Sequence, residues 1–168
     1  MNSNSNTSIL VLGIGNTLIT DDGIGVFTIR AIESNYTLSP NINVVDGGTL
    51  GLNLIHPIMN ADRVIVADAV KNGKKPGSLY RFTLEEFQNS IQPKQSIHQL
   101  TFLETLAYVA LLGKCPSVTI IGMEPFDCCT VGIGLTNGAQ KNIPKLESLV
   151  VQEIINCGGR VNPKQEKS

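Results

Sequence analysis

The sequence predicts an α/β protein, a three-layer αβα sandwich around a twisted, mostly parallel five-stranded sheet. Three observations carry that prediction. Short β-branched runs recur along the chain, helical patterns fill the gaps between them, and 42% of residues are hydrophobic against 16% charged. That is the composition of a chain with a core to bury. With 168 residues the chain is long enough for one domain and short of two. Residues 1–168 are therefore expected to form a single domain, with 1–8 and 159–168 as flexible tails.

The elements follow in order. "SILVLG" (8–13), "INVVDGG" (42–48), "RVIVADAV" (63–70) and "SVTIIGM" (117–123) are almost continuously apolar, as strands covered on both faces must be. "GSLYRFTL" (77–84) alternates more and is expected as an edge strand, antiparallel to its neighbour. A helix from Asp22 to Asn35 places Ile24, Phe27 and Ala31 on one stripe. A second, Thr49 to Asn60, groups Leu50, Leu54 and Ile58, with Pro57 distorting its last turn. "HQLTFLETLAYVALLGK" (98–114) is the longest convincing helix, with Leu103, Leu106, Ala107 and Ala110 inward and Gly113 as its stop. The last helix, about 138–156, aligns Leu146, Leu149, Val150 and Ile154. Strands alternating with helices imply right-handed crossovers and a parallel sheet.

Charge excludes several functions. The net charge is −1, from 13 basic and 14 acidic side chains, with no basic run to neutralise a phosphate backbone. Nucleic acid is not an expected partner. "MNSNSNTS" lacks the basic and apolar segments of a signal peptide, and no run reaches the roughly 20 apolar residues that span a bilayer. A cytoplasmic protein that does not engage membranes, and a monomer, is the expectation. The cysteines at 115, 128, 129 and 157 have neither a disulfide framework nor zinc spacing and are expected as buried or incidental thiols.

"ILVLGIGNTLITDDGIGV" (9–26) opens like a nucleotide-binding turn. The dinucleotide fingerprint requires a third glycine where Leu18 stands, and no Gly-Lys-Ser/Thr exists for a phosphate loop. Asp21 and Asp22 open the first helix, where a pyrophosphate would have to lie, and would repel it. One aspartate there is explained by helix capping, worth about 0.5–2 kcal/mol. The second is left solvated or free for other work.

Functional groups of parallel α/β sheets gather at the carboxyl ends of strands, at a topological switch point. The sequence places Asn16, Asp21 and Asp22 after the first strand, "DGGT" (46–49) after the second, and Asp68 at the end of the third. His98 stands ahead of the long helix. Asp68 is the sharpest of these, because a carboxylate ending a buried strand costs several kcal/mol unless paired, hydrogen-bonded or bound to a cation. His98 alone is unremarkable, and His56 beside Pro57 carries no signal. Together, two carboxylates and an imidazole suit a borderline divalent metal such as nickel or zinc. No nucleophile–base pair is apparent: neither Ser96 nor any cysteine has an evident partner, and no His-Glu-x-x-His occurs.

"GIGNTLITDDGIGV", "DGGTLGLNLI", "ADRVIVADAV", "HQL" and "VTIIGMEP", in this order and spacing, closely resemble the maturation endopeptidases of [NiFe]-hydrogenases, from about Ile9 to Ile155. The resemblance implies a protease that binds the precursor of the hydrogenase large subunit after nickel insertion. It removes a short C-terminal extension, after a His or Arg that follows a Cys-x-x-Cys metal-binding motif. Nickel, supplied by the substrate, is then the implied metal, and Asp22, Asp68 and His98 its implied contacts and catalytic residues. Asp46, Gly47, Gly48 and Thr49 fall where such proteases are thought to read their substrate, in a form similar to the uptake-hydrogenase type. Many relatives carry Asp-Glu in place of Asp21-Asp22. The shorter side chain reaches about 1.5 Å less, which leaves open whether Asp21, Asp22 or a bridging water makes the contact. Two rivals stand beside this reading: a non-catalytic metal-binding chaperone of the precursor, which the same acids and histidine would serve, and a nucleotide-binding regulator.

Overall fold

The computed structural model describes residues 7–49, 51–90 and 97–165; Leu50 and Ser96 lie outside them. The chain runs β1 (Ile9–Ile14), α1 (Ile24–Asn35), β2 (Tyr36–Leu38), β3 (Ile42–Gly48), α2 (Ile55–Met59), β4 (Arg63–Ala69) and β5 (Leu79–Thr83). It continues through α3 (Leu84–Ser90), α4 (Ile97–Leu111), β6 (Ser117–Met123), α5 (Asn137–Asn156) and β7 (Val161–Pro163). The five-stranded sheet has the order β3-β1-β4-β6-β5. β1 is parallel to β3 and β4, β4 is parallel to β6, and only β5 runs antiparallel, on the edge.

The strands are apolar on both sides because both sides are covered. Leu10, Leu12, Val64, Val66, Val118 and Ile120 pack with Leu54, Ile58, Phe87, Phe102, Leu106 and Val109 on one face. The alternate residues Ile9, Val11, Ile65, Ala67, Ile121 and Met123 pack with Ile24, Ile29, Ile32, Leu146, Val150 and Ile154 on the other. The period of two splits each run between two cores. That is the three-layer sandwich.

Several helix faces differ from the expected ones. In α4 the buried stripe is Phe102, Thr105, Leu106 and Val109, with Leu103 half-buried and Ala107 and Ala110 exposed. The helix is apolar almost all round, with Ile97, Leu100, Tyr108 and Leu111 exposed, so periodicity does not single out a face. In α1 the deepest residues are Ile24, Val26, Thr28, Ile29 and Ile32, with Phe27 and Ala31 at the margin. Leu149 of α5 is also exposed. The helix expected over 49–60 is a 3-10 turn at Leu52–Leu54 and the five residues of α2.

Three short elements were not expected. Thr83 and Glu86 form a reciprocal cap: the Glu86 N–H donates to Thr83 Oγ1 and the Thr83 N–H to Glu86 Oε2, which starts α3. Val161–Pro163, read as part of a polar tail, instead pair antiparallel with Tyr36–Leu38. Lys164 extends that ribbon by donating its N–H to the Asn35 carbonyl and its Nζ to the Glu33 carbonyl. A three-residue ribbon closed across more than 120 positions leaves no local pattern to read.

Behind the sheet, Glu153 of α5 accepts from Arg81 Nε and a guanidinium nitrogen, each at 2.8 Å, and from Thr119 Oγ1 at 3.0 Å. The Arg81 hydrogen bonds lead the effects that hold its carboxyl below the usual range. A depressed folded-state pKa stabilises above the unfolded value and is lost as pH falls through the folded one. Because Arg81 is half-exposed, Glu153→Gln is expected to cost about 1–2 kcal/mol at pH 7. Urea unfolding should show that difference shrinking toward pH 3.

Candidate active site

The strand order changes direction at β1. One crossover carries the chain to β3 on one side, and the next returns it to β4 on the other. The carboxyl ends of β1 and β4 therefore flank the crevice expected of this sheet type. Asp22 follows β1, Asp68 is the penultimate residue of β4, and α4 begins beside both.

Glycines explain the approach. Gly15 sits at φ +138°, and a Cβ there would lie 1.9 Å from the Asp22 carbonyl oxygen; at Gly25 it would lie 2.1 Å from the Ala67 carbonyl. The glycine-rich loop thus folds back on its own aspartates and lets α1 start against β4. It serves close packing and leaves no phosphate cradle.

The two adjacent aspartates do different work. Asp21 is fully buried. Its carboxylate accepts from the N–H groups of Phe126 (2.9 Å), Asp127 (3.0 Å) and Thr136 (2.8 Å), and from Thr136 Oγ1 (2.9 Å). It fastens the 126–136 loop and the start of α5 to the first loop. Thr20, held at φ 27°, donates its hydroxyl to the Asp127 carbonyl and turns the chain between them. A β-branched residue in that region is strained and persists because its surroundings hold it. Asp22 faces the crevice, where Oδ2 accepts from the Asn16 N–H at 3.2 Å.

Asp68 is almost fully buried. Oδ1 accepts from the Ala69 N–H at 2.8 Å, and Oδ2 accepts from Gln99 Nε2 at 2.6 Å. Gln99 Nε2 also donates to the Ala69 carbonyl at 2.9 Å, tying the first turn of α4 to the end of β4. His98 lies between the two acids, with Nδ1 3.6 Å from Asp22 Oδ2 and Nε2 3.5 Å from Asp68 Oδ1. Burial alone would lower the imidazole pKa. The hydrogen bond and charge of Asp68, with the charge of Asp22, outweigh it and hold His98 above its ordinary value. Burial likewise raises the Asp22 carboxyl, against the lowering effects of His98 and the Asn16 N–H.

The crevice encloses about 410 Å³ and is lined by Asn16, Ile19, Asp22, Thr49, Lys71, Ile97, His98, Gln99 and Cys128. Of the "DGGT" residues, Thr49 alone reaches it. Asp46 is turned to Arg30, at 2.8 Å, and to the Gly48 N–H. Burial pushes the Cys128 thiol up to about 12, which disfavours the thiolate at neutral pH. Gln99 and Lys71 carried no assignment from sequence. The "HQL" stretch signalled Gln99, whereas nothing local distinguishes Lys71 from other surface lysines. Glu124 of the "MEP" stretch braces the loop after β4, accepting from the Asn72 N–H, the Lys74 N–H and Tyr80 Oη. Burial and this carboxylate push Tyr80 up to about 12. Among the described residues no three His, Cys, Asp or Glu side chains form a ready metal cage. The imidazole offers one nitrogen to each acid and fills the gap between them.

Comparisons with known proteins converge. A family profile described as hydrogenase maturation protease (HycI) matches residues 26–153. The chain is 36% identical over 162 residues to the hydrogenase expression/formation protein HupD of Bradyrhizobium diazoefficiens, covering 95% of this chain and 84% of that protein. It is 37% identical over 145 residues to the hydrogenase 2 maturation protease of Escherichia coli, covering 84% and 88%. Its fold is similar to the hydrogenase maturating endopeptidase HybD from E. coli, with a TM-score of 0.88 and 32% identity over 96% of this chain and 100% of that one.

Two outcomes follow from the geometry. Asp21→Ala strips partners from buried N–H groups and is expected to cost about 3 kcal/mol or more, whereas Asp22→Asn should change thermal stability by under about 1 kcal/mol. An NMR titration should place the His98 midpoint above 6.5, and Asp68→Asn should lower it. Because the folded value is raised, charged His98 stabilises the fold below the unfolded pKa, and that contribution is lost as pH rises through the folded one.

Proposed function

The chain belongs to the hydrogenase maturation protease family and is an endopeptidase, and from that premise we propose that it removes the C-terminal extension of a nickel-loaded [NiFe]-hydrogenase large-subunit precursor. The observation that carries this reading is the His98 imidazole held 3.6 and 3.5 Å from Asp22 and Asp68, with Asp22 and His98 lining the crevice and Asp68 buried on the other side of the ring. The described residues lining that crevice include no serine, and its one cysteine is a neutral thiol. Hydrolysis then depends on acid–base chemistry by carboxylates and an imidazole, and on exact placement of the bond to be cut.

The substrate's nickel supplies that placement. The acids flank a shared partner, and in the free protein the His98 imidazole fills that role. A divalent ion carried in by the precursor takes over as counter-charge to Asp22 and Asp68, and the deprotonated imidazole becomes a nitrogen donor. Asp68 stays oriented by Gln99 and the Ala69 N–H. With the tail fixed in this way, a cleft carboxylate takes a proton from the attacking water and returns it to the departing amine. Nickel is the recognition element, so an unloaded precursor presents no anchor.

One observation favours a second reading. Asp68 faces Nε2 of His98, and once Nδ1 turns from Asp22 toward water the ring is an imidazole base oriented by an acid. In that reading His98 acts on water directly and the enzyme is indifferent to nickel.

Purified chain mixed with precursor, with and without nickel, separates the readings by product mass. Cleavage of the loaded form alone is expected. Equal cleavage of both would favour the imidazole base, and an intact tail in both would leave a chaperone. Asp68→Asn and His98→Ala are each expected to keep the fold by circular dichroism and to slow processing by about 100-fold or more.

A further inference from the structure

Lys71 lies at the lip of the crevice, three residues beyond Asp68. The backbone on either side of it is fixed to the end of β6. The Val70 N–H donates to the Met123 carbonyl at 2.9 Å, and the Asn72 N–H donates to Glu124 Oε2 at 2.9 Å. The Lys71 side chain itself is exposed. Among the described residues no carboxylate lies within ion-pair distance of its ammonium. It nevertheless belongs to the field of the site, since its charge acts on Asp22 and Cys128 inside the crevice and on Asp127 beside it. Apart from His98, it is the one basic side chain lining the crevice among the described residues.

A crevice lined by the Asp22 carboxylate, with Asp68 buried on the other side of His98, disfavours an acidic substrate segment unless something at its entrance reverses the field locally. Lys71 is placed to do so. It stands outside the Asp22–His98–Asp68 arrangement, on a braced loop, with a long side chain and three donors. A chain entering toward the acids passes this ammonium. Ile19 and Ile97 supply the apolar walls.

Resting on the proposed function, we infer that Lys71 is a specificity-determining residue that pairs with an acidic side chain in the C-terminal extension of the precursor. Lys71 draws that side chain to the lip, while the bond to be cut lies deeper, against Asp22, Asp68 and His98. Its contribution is to substrate binding, and chemistry at the scissile bond does not require it. An exposed pair of this kind is screened by salt, so its effect is largest at low ionic strength.

The test uses the full chain and the nickel-loaded precursor at low salt. Lys71→Glu is expected to raise KM roughly fivefold to tenfold, with kcat changed less than about threefold. Lys71→Met should give a smaller rise, and Lys71→Arg should restore wild-type KM. A series of precursors, each with one acidic residue of the extension replaced by Lys, should include one that Lys71→Glu processes better than the wild type does. Unchanged KM in Lys71→Glu, a loss confined to kcat, an extension without any acidic residue, or no rescuing precursor would each overturn the inference. Wild-type chain that leaves the loaded precursor uncut would instead overturn the proposed function on which it rests.

Discussion

A carboxylate at the end of a strand buried on both faces has to be compensated, and the compensation of Asp68 organises this end of the molecule. Its oxygens take the Ala69 N–H and the Gln99 amide, which fixes where α4 begins. Fixing α4 places His98 against Asp68, and the loop after β1 brings Asp22 to the other side of the ring. Uncompensated, such a group costs several kcal/mol. The site is therefore assembled by the same requirement that stabilises the carboxyl end of the central strand.

The first loop shows how a familiar sequence pattern acquires another use. Gly13-Ile-Gly15 before a helix suggests phosphate binding, yet Gly15 is needed where the chain meets its own Asp22 carbonyl. The close helix–strand contact that dinucleotide folds assign to a third glycine is made by Gly25. What the loop presents to the crevice is an acid, flanked by a second acid that never reaches it. The opening Gly-x-Gly turn alone is shared with the nucleotide-binding fingerprint, and the chemistry is decided by which side chains arrive at the switch point.

Much of this was legible in the chain. Apolar runs gave the strands, their alternation with helices gave the parallel sheet, and the mixed pattern of 77–84 marked the antiparallel edge. Asp68 stood out because a lone acid in "VIVADAV" demands a partner. The division of labour between Asp21 and Asp22 was not legible, since it depends on N–H groups from Phe126 to Thr136, over 100 positions away. The face of α4 was obscured by its nearly uniform hydrophobicity, and β7 by its length and distance from β2. The start of α3 was readable in principle, from Thr83 and Glu86 at capping-box spacing. The turn of Asp46 toward Arg30 is a tertiary contact that spacing alone does not reveal.

In the proposed function the substrate's nickel gains oxygen and nitrogen donors of this chain inside the crevice. Nickel-edge X-ray absorption of the loaded precursor, recorded alone and rapidly frozen with the enzyme, measures this at the metal itself. Mixing should add oxygen or nitrogen scatterers at about 2.0–2.2 Å to the precursor's own ligand set, and the Asp22→Asn, His98→Ala double variant should remove them. A nickel spectrum unchanged by an enzyme that nonetheless cuts the tail would contradict that coordination.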